Sequence, residues 1–459
     1  MRYLFIFLLF AIGLYDQRVT ASEISENELQ YNVLIREVNL VDIANDRIIA
    51  NQDVFIDGDL IVKIVSANPT NYADVRPLTK VVDGRNKYLM PGLIDMHVHV
   101  FQPADLSQLL RHGVTTARVM YGWPQTLSYR EKVANGEMFG PDLFVSSPVI
   151  NQKSPYASSS IHKFVDTPAE AIKLVEQYAK QGFDLIKTYD GIQPNIFEAI
   201  SKAANRHGMQ TAGHPSFYLS KEQYLKSSPQ TIEHIEMLYQ AWLDYSSDEK
   251  KLIDLSKYLA KKQIPVTTTL VVFDNLARIA VEKQAFIDGE PVEYIHPFIK
   301  RLERSSVDFI TKVDKPEQWR KKADYLGYMA KVLNEHDVPL VIGSDGGVGY
   351  TINGKSTIDE IALLHRYGMP VNDILRAATI TPAMALNKQS EIGQIAIGYK
   401  ANLLLLEQDP NKNIMILRKP HTIFKAGRVF DADKLSELDN IAKQHMDALD
   451  VGVHLLRAM

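Results

Sequence analysis

Apolar and polar positions alternate with a period of two in three stretches near the start: NVLIREVNLVD (32–42), RIIANQDVFIDGD (47–59) and LIVKIVS (60–66), with Asn, Asp and Gly between them. Successive side chains of a strand face opposite sides, so this period predicts short strands joined by turns. The pattern returns near the other end in GQIAIGYKANLLLLEQDP and HTIFKAGRVFDA. The two groups are expected to pair into one small β-sandwich, with everything between them inserted. In that interval, apolar runs of strand length alternate with helical patterns. The runs are GLIDMHVHV (92–100), VTTARVM (114–120), LFVSSPV (143–149), DLIKTY (184–189), MQTAGH (209–214), TIEHI (231–235), PVTTTLVV (265–272) and PLVIGSD (339–345). Stretches such as TPAEAIKLVEQYAKQG and NIFEAISKAANRHG carry apolar residues at helical spacing and end at Gly. Eight β–α repeats predict an α/β fold, a (β/α)8 TIM barrel with the β-sandwich built from both chain ends. A doubly wound sheet is the alternative.

The expected division is 1–21 as a signal peptide, 22–88 and 391–459 as the two parts of the sandwich, the second with a terminal helix, and 89–390 as the barrel. An insertion at about 273–338 is longer than a simple crossover and reads as a lid over the pocket. Its Arg301 and Arg304 are candidates for holding a substrate carboxylate, against the ordinary reading of exposed helical arginines. The signal reading rests on MRYLFIFLLFAIGLYDQRVTAS, where Arg2 precedes an apolar run from Tyr3 to Tyr15 and small residues follow near Ala21. A membrane anchor competes with it, but the run is shorter than the ~20 residues that cross a hydrocarbon core. The expected location is therefore periplasmic or secreted.

Composition narrows the function classes. A chain of 459 residues, 46% hydrophobic and 23% charged, is neither disordered nor fibrous. Lys plus Arg number 51 against 55 Asp plus Glu, so a net charge of −4 gives no electrostatic reason to expect nucleic acid or an anionic membrane. A small-molecule substrate is the expected partner, with homo-oligomers left open. The absence of cysteine excludes disulfides and makes a closed structural zinc site improbable.

Polar residues sit toward the carboxyl ends of the apolar runs, where a barrel builds its active site: His97, His99, Lys187, His214, His234 and Asp345. Each alone has an ordinary reading as a core histidine, a snorkelling lysine or a turn aspartate. Together, on five of eight strands, they point to one site. Residues i and i+2 of a strand share a face, so His97 and His99 converge into a clamp for Zn²⁺ or a similar divalent ion. An ammonium would repel such an ion. A lysine desolvated beside metals instead loses its proton, and the free amine can add CO₂ to give a bridging carbamate. The alternative is that Lys187 merely neutralises Asp184 or Asp190, with a single metal held by the histidines and Asp345.

PGLIDMHVHV, DLIKTY, GHPSF, IEHIE and IGSDGG stand in the order and spacing of the amidohydrolase superfamily, which the chain resembles over nearly its whole length after residue 21. The IK pair at Ile186-Lys187 is most similar to the subset of aminoacyl-proline dipeptidases and imidazolonepropionase-related proteins. The resemblance implies two divalent metal ions, Zn²⁺ by expectation. His97, His99 and Asp345 would hold one, His214 and His234 the other, and N6-carboxylated Lys187 would bridge them. It implies that Asp345 moves a proton from the attacking hydroxide to the departing amine. The expected reaction is hydrolysis of an amide C–N bond in a dipeptide such as Xaa-Pro or in an N-acyl amino acid. A cyclic amide or lactone is the alternative substrate. A non-catalytic scaffold, which would be expected to lose ligands, is the remote one. Ser216 departs from the family's Tyr or His, so the group holding the carbonyl oxygen is unassigned. His162, Tyr189 and Tyr218 are the candidates for contact with substrate, each also readable as a loop or packing residue, and Tyr121 and Trp123 could reshape the pocket mouth.

Overall fold

The computed structural model describes residues 32–72, 79–153, 162–448 and 450–452, so the segment 1–21 lies outside the described residues. The alternating stretches become strands where their period predicts: β1 (Val33–Asp42), β2 (Arg47–Asp57) and β3 (Leu60–Ser66) form an antiparallel meander. Two short strands, β4 (Lys80–Asp83) and β5 (Tyr88–Pro91), then run parallel to β1.

The middle of the chain is parallel α/β. β6 (Leu93–Val98), β7 (Val114–Val119) and β8 (Asp142–Val145) form one three-stranded parallel sheet. β9 (Ile150–Asn151), β10 (Lys163–Phe164), β11 (Leu185–Thr188), β12 (Gln210–Gly213), β13 (Thr231–Ile232), β14 (Val266–Thr267) and β15 (Leu340–Val341) form a second, in the order β10-β9-β11-β12-β13-β14-β15. Single bridges join Ser146 to Leu185 and Val98 to Gly346, so the two parallel sheets touch at both sides. Helices Pro103–Arg111, Pro124–Ala134, Pro168–Gln181 and Pro194–Arg206 each open on a proline, whose fixed φ suits the first turn and whose missing N–H would have had no partner there. Gly182, at φ 88°, ends the third of them in the left-handed conformation that glycine adopts without strain.

At the far end, β16 (Leu403–Leu406) pairs antiparallel with β5, and β17 (Thr422–Lys425) and β18 (Arg428–Phe430) follow, so both chain ends share one eight-stranded sheet. The LLLL run of β16 is buried on both faces. Leu403 and Leu405 pack into the core of this sheet, while Leu404 and Leu406 pack into the large core around the parallel strands.

Several strands are shorter than their apolar runs. In PVTTTLVV only Val266–Thr267 is strand: Thr269, at φ 50°, turns the chain, and Leu270–Glu282 is a helix. A short apolar run cannot be told from a buried helix by period alone. TIEHI likewise stops at Ile232, because His234 at φ 66° breaks the extended run before Ile235–Met237 coils. No helix of the described residues is long and apolar enough to cross a membrane.

Candidate metal centre and active site

β6 enters the site wholly buried, and its register is fixed by Asp95. The Asp95 carboxylate accepts the N–H of His97 (3.0 Å), the N–H of Ser344 (3.1 Å) and the hydroxyl of Thr357 (2.6 Å). It thus ties β6 to the segment after β15, and the N–H of Asp345 closes the tie on the His97 carbonyl at 2.8 Å. His97, His99, Lys187, His214, His234 and Asp345 all line one cavity of about 360 Å³, and His162 and Tyr189 line it too. The ring centroids of His97 lie 5.5 Å from His99 and 4.5 Å from His234, and His214 lies 4.8 Å from His234. Ligand atoms of His97, His99 and Asp345 fall within 4.8 Å of one another, close enough to converge on a single ion.

Two of the imidazoles, those of His97 and His234, are oriented by a hydrogen bond from one ring nitrogen. His97 donates Nδ1–H to Glu233 at 2.6 Å, which leaves its Nε2 lone pair facing Asp345 Oδ1, 3.4 Å away. Glu233 is in turn held by Arg118 at 2.7 Å and by the Thr231 hydroxyl. Arg118 also donates to the Met96 carbonyl (2.7 Å) and to Gln230 (2.8 Å), so a fully buried ion pair stands behind the first histidine. His234 Nδ1 lies 2.8 Å from the Thr269 hydroxyl. The Tyr189 ring stacks on His214 at 3.8 Å, and His162 packs on Tyr189 at 4.7 Å. His234 and Asp345 occupy positive φ, 66° and 50°, a conformation that costs non-glycine residues about 1–3 kcal/mol and is held here by the surrounding bonds.

Charge states suit cation binding. Burial, aided by the charge on Lys187, holds His97 and His214 well below the ordinary imidazole value, and burial lowers His234 to about 3. All three are neutral donors at pH 7. Burial alone would raise Asp345, but His97, His99 and His234 hold it well below the carboxylate range, and His99 Nε2 lies 2.8 Å from its Oδ1. Burial lowers Lys187 to about 8 against the pull of Glu233 and Asp345. Among the described residues its Nζ has no hydrogen-bond partner, an orphaned buried amine in a cavity of ligand-type residues. Asp184 pairs with Arg130 at 2.8 Å, so Lys187 does not neutralise it. Three neutral imidazoles, an ionised carboxylate and an unpartnered amine form a donor set that fits divalent metal.

Some expected residues stay outside. Tyr218 is not among the residues that line the cavity, and its N–H donates to Ser216 Oγ at 3.2 Å. Ser216 directs its hydroxyl at the carbonyls of Ile192 (2.7 Å) and Asp190 (3.0 Å), so it cannot hold a substrate oxygen. Arg301 and Arg304 are exposed; helix Pro297–Ile310 turns Ile299, Leu302, Glu303 and Ser306 to the cavity instead. Motif reading passed over Asp95, Arg118, Glu233, Thr269 and Glu303. The available signal was a charged residue inside an apolar run, as in VTTARVM.

Residues 88–430 match the model of the amidohydrolase family. The chain is 23% identical to the 5-methylthioadenosine/S-adenosylhomocysteine deaminase of Caldanaerobacter subterraneus subsp. tengcongensis, over 85% of this chain and 86% of that one. Among solved structures, bottromycin amidohydrolase superposes with a TM-score of 0.74 at 23% identity, covering 89% of each chain. A Xaa-Pro dipeptidase with bound methionine superposes with a TM-score of 0.67 at 20% identity, covering 87% of this chain and all of that one. The curated relatives overturn the expected periplasmic or secreted location, since they are deaminases of adenosine derivatives. A short apolar run after one arginine records hydrophobicity, not a destination.

Proposed function

Because the chain belongs to the amidohydrolase family, we propose that it is a binuclear metallohydrolase that opens the amide C–N bond of a small substrate, an aminoacyl compound such as Xaa-Pro or an N-acyl amino acid. Family and relatives together make the chain a metal-dependent hydrolase acting on carbon–nitrogen bonds. The observation that carries the finer reading is the unpartnered, buried Nζ of Lys187 in the cavity of the histidines and Asp345.

His97, His99 and Asp345 would hold one ion, His214 and His234 the other, with Lys187 between them. Zn²⁺ is the proposed ion, given imidazole and carboxylate donors without thiolate. Such a pair supplies a polarised substrate carbonyl and a water of lowered pKa. The Lys187 ammonium, its pKa lowered to about 8 by burial, first gives up a proton; the free amine then adds to CO₂ and releases a second proton as the carbamate forms. Glu233 and Arg118 fix the tautomer of His97, and Thr269 fixes His234. Asp345, ionised in the resting site, accepts the proton of the attacking water and passes it to the departing amine. His162 and Tyr189 form the wall against which the substrate lies.

The same reading makes the parallel strands β6–β8 and β11–β15 a closed (β/α)8 barrel at 89–390, supported by the bridges at both sheet edges. Residues 22–88 and 391–459 would form the sandwich domain, and 273–338 the lid.

A second reading, deamination of an adenosine derivative, is favoured by the curated relatives. Metal content measured together with turnover of Xaa-Pro dipeptides, N-acyl amino acids, lactams and adenosine derivatives separates the two. Two ions per chain with amide turnover support the proposal. Ammonia release from an adenosine derivative, with no amide cleaved, replaces it with the second reading.

A further inference from the structure

Helix Pro297–Ile310 faces the cavity with Ile299, Leu302, Glu303 and Ser306, the i, i+3, i+4, i+7 positions of one helical stripe. Glu303 is the charged member. Its carboxylate accepts the N–H of Gly349 at 2.6 Å and the N–H of Tyr350 at 3.4 Å, from the loop after Asp345. Two N–H donors leave a carboxylate with acceptor sites to spare. Burial pushes its carboxyl up to about 7, and no ion pair offsets that cost among the described residues.

The rest of the wall sharpens the point. Phe101, Met120, Val149 and Val348 are apolar, Tyr121, Tyr189 and His162 add polar rings, and the only Lys or Arg among the described lining residues is Lys187, on the floor with the histidines. Arg301 and Arg304 of the same helix are exposed. Among the described residues the cavity therefore offers a fixed acid from helix Pro297–Ile310 and no guanidinium for a substrate carboxylate.

We propose that Glu303 is a specificity residue that receives the substrate's ammonium group, so that the preferred substrates are aminoacyl amides with a free amine rather than N-acyl amino acids. A free carboxylate beyond the scissile bond is dispensable. The proposal rests on the amide reading for the bond that is cut, but not for the group that Glu303 binds. The competing role for Glu303 is structural, tying the helix to the Gly349 loop. Glu303→Gln separates the two, since the amide oxygen still accepts the short bond from Gly349, only the long 3.4 Å contact to Tyr350 is given up, and the charge is lost.

The first measurement is calorimetric binding of n-pentylammonium and of n-pentanol to the metal-loaded enzyme. Wild type is expected to favour the ammonium by about tenfold or more, the scale of one charge-assisted hydrogen bond. In Glu303→Gln that ratio falls to near one, while the melting temperature moves by no more than the loss of the long Tyr350 contact allows. Equal affinity for the two ligands in wild type, or a preference that survives Glu303→Gln, overturns the proposal. The second measurement compares an aminoacyl-proline with its N-acetyl and prolinamide forms. Acetylation should raise KM with little change in kcat, while the prolinamide is turned over well. If none of the three is cut, the amide reading fails, and the ligand pair still decides the role of Glu303.

Discussion

At the scale of single residues, Lys187 is the most informative position. A buried amine without a hydrogen-bond partner is costly, and a role in holding metal among the histidines and Asp345 would explain why it persists. Lys187→Ala should lose most bound metal and about 10²-fold or more in kcat, the order expected when a polarising group is removed. Added bicarbonate cannot rebuild a carbamate on alanine, but a short carboxylate such as propionate should restore part of both metal content and rate. Asp345→Asn should bind metal yet stay inactive under the same rescue, because it lacks the proton acceptor. Full metal occupancy in Lys187→Ala without rescue would return Lys187 to a simple packing role. His97 and His99 were legible because residues i and i+2 of an extended run share a face, although β6 itself ends at Val98. Glu233 and Arg118 were not, because nothing in a period of two records a partner more than a hundred positions away, joined only when the Arg118 side chain of β7 reaches Thr231 of β13 and the Glu233 that follows that strand.

At the scale of elements, the helix Leu270–Glu282 shows what local pattern misses. Its first N–H groups have no side-chain cap from Thr269. They are met instead by Glu360, whose carboxylate accepts from Leu270 (2.9 Å) and Val271 (2.7 Å). Burial raises the Glu360 carboxyl from 4.5 to about 7, against the lowering effect of Thr268 and those two N–H groups. A carboxyl raised on folding stabilises most below its unfolded value, and that contribution is lost as pH rises through its folded value. Wild type should therefore lose stability relative to Glu360→Gln between pH 5 and pH 8, by a few kcal/mol at most, since each pH unit separating the folded and unfolded values is worth ~1.4 kcal/mol. Urea midpoints of both proteins across that range check this; a constant difference would show that Glu360 keeps one charge state throughout. The strand-to-helix switch at Thr269 was illegible for the same reason the cap was: both depend on a residue from another element.

At the scale of the whole molecule, β16 decides whether the chain is one cooperative body. The expectation that strands from the two ends would pair rested on matching two-residue periods; the strands do share one sheet, but through β5, which lies outside those periodic stretches and pairs with both β1 and β16. What the pattern could not tell was that LLLL would be a joint, with alternate leucines committed to different cores. Leu404, fully buried, packs against the backbone at Gly113, and Leu405, equally buried, faces the other way. Leu404→Ala and Leu405→Ala should each cost about 2–5 kcal/mol, a large share of the 5–15 kcal/mol typical of a domain. If the two cores unfold together, both substitutions shift one common transition, read alike by far-UV and near-UV circular dichroism. If the sheet of the chain ends is a separate unit, Leu405→Ala lowers a transition that leaves the metal site intact, and metal release tracks only the transition moved by Leu404→Ala. The single transition is the expected result, because only Gly92 separates β5 from β6, the strand carrying His97. Loss of the sheet would therefore loosen the first ligand directly.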